Sequence, residues 1–133
     1  MLHLRFSMMY IELQIAASRF FCFEHPLGAL LWQQGCVRRI SDRSDVHFAE
    51  FDQCSYGLVC PRGMPIRKRT RFMTNSVRLY HQLNGNYCAC GPGVEHRVIQ
   101  GHVDGIRLST WCQKYPPRLC QSVARAVLAE SHA

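Results

Sequence analysis

Two carboxylates and a cysteine-histidine cluster are the residues of this chain whose types and spacing could do chemistry. Glu24 closes the apolar run "RFFCFE", and Asp52 stands in the same way at the end of "FAEFD". Carboxyl ends of strands are where open α/β sheets place ligands. A carboxylate held there can accept a hydrogen bond from a base or sugar, or act as a general acid if burial raises its pKa. If the two strands are neighbours, Glu24 and Asp52 converge on one edge, the arrangement that acid-base sites use. The alternative for Glu24 is that it caps the following helix and is stabilised by that helix's N-terminal dipole; His25 has the same two readings.

Cys88, Cys90, His96 and His102 give C-x-C, then five residues, then H-x5-H, inside a glycine-rich segment. Thiolate and imidazole are zinc ligand types, which makes zinc the one cofactor the chain suggests. The one-residue gap between the cysteines counts against a shared ion, because zinc knuckles use about two to four residues there. Cys54 has no neighbouring base that would make it a nucleophile and is expected to be an inert thiol. No phosphate-cradling G-x-G-x-x-G or G-x4-G-K-[ST] loop occurs, and no local motif marks a Ser-His-Asp arrangement.

Charge points to a partner. The formal net charge is +7, and no Asp or Glu occurs between Asp52 and Glu95. Arg62, Arg67, Lys68, Arg69, Arg71 and Arg78 fall in that gap. Such a basic field attracts nucleic acid, DNA or RNA, or an anionic membrane surface; a solvated basic loop is the bland alternative.

These residues need elements to position them. The 133 residues, 47% of them hydrophobic, suit one domain with one core. Leu4, Met8, Ile11 and Ile15 predict an amphipathic helix over 4–18 that packs on a sheet. An acid-poor start with Arg5, Ser7, Ser18 and Arg19 also fits an organellar presequence. The run over 19–24 does not alternate and predicts a central parallel strand buried on both faces, with Cys22 as a small core hydrophobe. Pro26 opens a helix over 26–34 that Gly35 ends. Strands follow over 46–53 and 70–75, antiparallel across a Gly/Pro loop. A helix over 76–84 starts at Asn75 or Ser76, residues 85–109 are irregular, and a last helix over 116–129 turns Leu119, Val123 and Val127 inward. The eight cysteines are expected to be reduced, since no secretory signal precedes them, in an intracellular protein, nuclear or cytoplasmic. No segment is long and apolar enough to span a membrane.

"ASRFFCFEHPLGALLW", "FDQCSYGL", "KRTRFMTNS", "HRVIQG" and "YPPRLC", in that order, resemble a family of proteins from eukaryotic microbes, frequent in algal and fungal genomes and often within retrotransposon-like reading frames. The resemblance covers about residues 9 to 127 and lies in E-[HN]-P, D-Q-C-x-[YF]-G, K-x-T and Y-P-x-x-L-C motifs. More distantly, the chain is similar to the C-terminal half of phage-type DNA cytosine methyltransferase domains. That resemblance implies a base-contacting role for Glu24, with Lys68 and Thr70 as the K-x-T element and Tyr56 and Gly57 as the Y-G element. The glycine-rich cofactor loop and the Pro-Cys nucleophile of those enzymes are missing, and His25 replaces their Asn.

The expectation is therefore an α/β fold: a partial Rossmann-like, methyltransferase-like three-layer domain over 1–133, a fragment with a small mixed sheet and a long Gly-rich loop. A sheet of three strands leaves a face or edge for a partner chain. The leading function is a non-catalytic, nucleic-acid-contacting domain derived from a mobile element. The alternatives are a methyltransferase-like enzyme domain whose cofactor half lies elsewhere and a zinc-stabilised interaction module.

Overall fold

A computed structural model describes residues 2–131; residues 1, 132 and 133 of the expected 1–133 domain lie outside the described residues. The chain runs α1 (Leu2–Ala16), β1 (Cys22–Pro26), a 3-10 turn (Leu30–Gln33), α2 (Gly35–Ser41), β2 (His47–Asp52), a second 3-10 turn (Gln53–Tyr56) and β3 (Arg69–Thr74). It continues through α3 (Val77–Leu83), a two-stranded hairpin of β4 (His102–Val103) and β5 (Ile106–Arg107), α4 (Leu108–Trp111) and α5 (Pro117–Ser131). It is a mixed helix and strand fold with small sheets.

The main sheet has the order β1-β3-β2, and both pairings are antiparallel. Register explains the layering. Phe23, Met73 and Phe48 lie side by side across the three strands and meet Met8 and Ile11 of α1 and Val37 and Ile40 of α2. One residue along, the alternation of strand side chains turns Phe72 and Ala49 to the other face, against Leu79 and Leu83 of α3 and Leu119 and Ala126 of α5. The sheet thus lies between two helical layers. A third cluster of Leu58, Cys60, Ile66, Leu108 and Cys112 fastens the loop after β2 to α4.

Several expectations are corrected. The first strand is an edge strand, and β3 is central, so no neighbouring strands run parallel and the sheet is not mixed. Its apolar run misleads because the edge itself exposes Phe20 and Cys22; Cys22 is not a core thiol. Pro26 ends β1 instead of opening a helix, a place that suits an edge because Pro lacks a ladder donor. Its carbonyl accepts from Trp32 Nε1 at 2.9 Å and from the Ala29 N–H at 3.1 Å, which folds the next residues into a turn. Gly35 starts α2 where it was expected to end a helix. Val127 is exposed, and Ala126 takes the inward position. Helices lie on both faces of the sheet, and β1 and β2 are its two edges. Residues 85–109 are irregular except for β4, β5 and the start of α4 at Leu108. Among the described residues, no helix is long and apolar enough to cross a membrane.

Candidate metal centre

Asp52 is the anchor of the site. It ends β2, is fully buried, and receives the Arg69 guanidinium in a two-pronged bond, Nε to Oδ1 at 2.9 Å and Nη2 to Oδ2 at 3.0 Å. The Cys88 N–H donates to the same Oδ2 at 2.8 Å, which docks the 85–109 segment on the end of β2. Burial pushes the Asp52 carboxyl up, but the Arg69 and Cys88 bonds and the charges of Arg69 and Arg67 outweigh it and hold the group below the usual aspartate value. Around it, the Asp52 N–H donates to the Asn86 carbonyl at 3.0 Å, and Ser55 Oγ bonds the carbonyls of Asp52 (2.7 Å) and Asn86 (2.9 Å).

Next to this anchor, Cys54 in the second 3-10 turn meets Cys88, Cys90 and His96 from the irregular segment. Their ligand atoms all lie within 4.8 Å of one another, with Cys54 buried and the other three half-buried. Cys88 Sγ is 3.3 Å from His96 Nε2. A tetrahedral zinc ion with bonds of about 2.0 to 2.3 Å separates its ligand atoms by roughly 3.3–3.8 Å, so closure needs shifts of about 1 Å. Gly91 and Gly93, at φ of 95° and 80°, turn the chain between Cys90 and His96 in a backbone region that side chains disfavour. The next N–H, of Arg97, donates to the Pro65 carbonyl at 2.9 Å and pins the return.

The thiols do not share their protons evenly. The Cys90 backbone bond, against partial burial, joins the Cys90 and Cys54 thiols and the Arg67 guanidinium in bringing the Cys88 thiol down to about 6. Burial, and then its bond to Cys88, raises Cys54. The bond to Cys88 raises Cys90. One thiolate therefore sits among the donors at neutral pH, and an arriving cation displaces protons from the other two. Three thiols and an imidazole are a donor set that could hold a metal ion, and their chemistry is compatible with zinc.

Cys88, Cys90 and His96 are brought together, but His102 is not: it lies in β4, paired with Arg107 of β5. Cys54 takes its place, so the thiol expected to be inert is a member of the cluster. Its only signal was the "DQCSYG" stretch at a strand end, every residue of which is now engaged. Gln53 Nε2 bonds Thr70 Oγ1 at 3.0 Å, Tyr56 Oη accepts from Asn86 Nδ2 at 2.6 Å, and Gly57 closes the turn at φ 89°.

The two carboxylates do not converge. Glu24 is opposite Phe72 on β1, and Asp52 is opposite Arg69 on β2, with β3 between them and the two residues on opposite faces. Glu24 Oε1 accepts from Tyr115 Oη at 2.5 Å, and burial, followed by this bond, raises the tyrosine hydroxyl. Glu24 is a clasp between β1 and the approach to α5. His25, opposite Arg71, has its ring 5.1 Å from that of Phe23 and 6.5 Å from that of Trp32.

The basic run is mostly engaged within the chain. Arg62 pairs with Asp104 (2.6 Å), Arg69 with Asp52, Arg71 with Glu50 (2.7 Å) and Arg78 with Glu130 (3.9 Å). Lys68 Nζ donates to the Cys112 carbonyl at 2.6 Å, and Arg67 sits beside Cys88. Arg71 also lies over the rings of Phe48 (4.4 Å) and Trp32 (5.3 Å).

Three comparisons with known proteins bear on this geometry: no family model matches the chain, no curated protein matches it, and no solved structure matches it. The functional reading is therefore built on the site itself.

Proposed function

We propose that this chain is a non-catalytic interaction module whose irregular segment is held by a structural zinc ion. The observation that carries this reading is the convergence of Cys54, Cys88, Cys90 and His96 within 4.8 Å. Four protein ligands close a tetrahedral shell and leave no position for a substrate or an activated water, which is the mark of a structural site. Asp52 supports the reading, since its bond to the Cys88 N–H is the kind of outer contact that orients a ligand-bearing loop. The test is metal analysis of purified protein with cobalt substitution. One equivalent of zinc, and a cobalt form with thiolate-type absorption, are expected. Zinc well below one equivalent, with no cobalt spectrum, ends the reading.

Nucleic acid is the partner class that charge favours. The surplus of +7 remains on the chain, Arg62, Arg67 and Arg78 are exposed, and phosphates can compete with the weak surface ion pairs of Arg62 and Arg78. The test is salt dependence of binding to a generic duplex and a single strand. Affinity that falls steeply with salt, and falls again on Arg67→Ala, supports it; binding indifferent to both rejects it. A methyltransferase-like enzyme shares the three layers, but the separation of Glu24 from Asp52 gives it no acid-base pair.

A further inference from the structure

The N-terminal helix carries apolar residues on two opposite sides. Leu4, Met8, Ile11 and Ile15 pack inward. Leu2, Phe6, Met9, Tyr10 and Leu13 point away and are between 52% and 80% exposed. The expected amphipathic helix is thus not amphipathic, and a helix that is apolar all round is one meant to be covered. Along the outer side, Leu2, Phe6, Met9 and Leu13 follow the four-three-four spacing of a coiled-coil seam. The groove between α1 and β1, of ≈ 300 Å³ and lined by Phe6, Tyr10, Phe21 and Phe23, opens beside this seam.

Charge identifies the occupant. Arg5 and Glu12 lie seven residues apart on one flank of the seam. Flanks of this kind meet their own copies when two identical helices pack antiparallel about a two-fold axis. Arg5 of each chain then faces Glu12 of the other, and the seam forms layers of Leu2 on Leu13 and Phe6 on Met9. Glu12 also bonds Arg39 of its own chain at 3.2 Å through Oε1, and its second oxygen can accept from another guanidinium. A patch of five such side chains exposes roughly 600 Å², and two patches reach the roughly 1,200 Å² at which stable interfaces begin.

We propose that the outer face of α1 is a homodimer interface in which two copies pack α1 against α1 antiparallel. Sedimentation equilibrium of the full chain at about 0.1 mM, far above a micromolar Kd, tests it. A two-chain mass is expected. Met9→Glu should give a single-chain mass with an unchanged circular dichroism spectrum, because Met9 makes its fold-internal contacts with only half its surface. Arg5→Glu, which sets like charges at both ends of the seam, should weaken association about tenfold, and adding Glu12→Arg should restore it. A single-chain mass for the parent protein, or a dimer that survives Met9→Glu, overturns the proposal. A double charge reversal that fails to recover association overturns the antiparallel arrangement.

Discussion

The sheet with its two helical layers and the segment from residue 85 to 112 are held by different forces. In the layers, Phe51, Phe72, Met73, Val37, Ile40 and Leu83 are buried to 2% exposure or less, and each such side chain contributes roughly 1.5–3 kcal/mol by leaving water. The later segment carries a much smaller apolar cluster around Leu108 and Cys112 and is otherwise tied by polar contacts, among them Cys88 and Asn86 to Asp52, Arg97 to Pro65, Asp104 to Arg62 and Cys112 to Lys68. A stretch that buries little apolar surface cannot offset its own ordering entropy. The thiol-imidazole cluster joins the two regions, since Cys54 follows β2 while Cys88, Cys90 and His96 belong to the later segment.

This contrast predicts an asymmetry, and its largest test is the metal. Cys54→Ser, or a strong chelator, should remove all bound zinc, a loss on the order of 10 kcal/mol of apparent binding free energy. Hydrogen exchange should then accelerate through residues 85–112 while amides of β1, β2 and β3 keep their protection. Equal acceleration in both regions would show that the layers depend on the metal too, and no acceleration would remove its structural role.

The reverse perturbation comes next. Phe72 packs at 5.3 Å from the Phe51 ring and 6.2 Å from that of Tyr115, and Phe72→Ala should cost about 3–5 kcal/mol through lost burial and the cavity left behind. Because Asp52 and Cys54 stand on the end of β2, unfolding of the layers should release zinc in the same transition. Denaturant unfolding followed by both fluorescence and a zinc indicator checks this. Zinc retained after the layers unfold would mean that the segment holds its ion alone.

Asp52 joins the two regions, and its substitution is the third test. Asp52→Asn loses the charged bond to Arg69, about 1–2 kcal/mol after allowance for the half-exposed guanidinium, and should weaken zinc binding about tenfold or more. The pH dependence has a definite sign. The folded-state pKa is depressed, so the stabilisation is complete above the unfolded aspartate value of about 3.9 and disappears as pH falls through the lower folded value. The urea stability gap between parent and Asp52→Asn should be full at pH 6 and narrow only as the pH falls below the unfolded aspartate value of about 3.9, through the lower folded value. A gap that persists at the acid end would place the effect outside the ion pair.

What could be read from the chain divides along the same line. Strands expected over 46–53 and 70–75 occur at His47–Asp52 and Arg69–Thr74, and Ser76 caps α3 through the Leu79 N–H, because alternation and capping are local patterns. Strand order is not local: an unbroken apolar run reads as a strand buried on both faces, yet β1 is an edge strand with Cys22 and the preceding Phe20 exposed. Cys88, Cys90 and His96 were legible by type and closeness. Cys54, far earlier in the chain, was not, and local spacing favoured His102 in its stead. The basic run looked unneutralised for the same reason, since its partners Glu50, Asp52, Asp104 and Glu130 all lie outside it.

Glu24 provides the smallest test, and it separates a structural carboxylate from a ligand-contacting one. Asp52 ends β2, whereas Glu24, expected at a strand end, lies in the middle of β1; Asp52 is fully buried under a guanidinium while Glu24 is half-buried and held by a neutral hydroxyl. A bond of that kind, partly open to water, should be worth about 0.5–1 kcal/mol. Tyr115→Phe keeps the ring against Phe72 and removes only the hydroxyl, so its denaturation midpoint should fall by that small amount with zinc content unchanged. Glu24→Gln should be comparable, because an amide oxygen still accepts from Tyr115. If Glu24→Gln instead abolishes nucleic-acid binding while Tyr115→Phe does not, Glu24 contacts the ligand directly, and its bond to Tyr115 only parks the carboxylate until a base arrives.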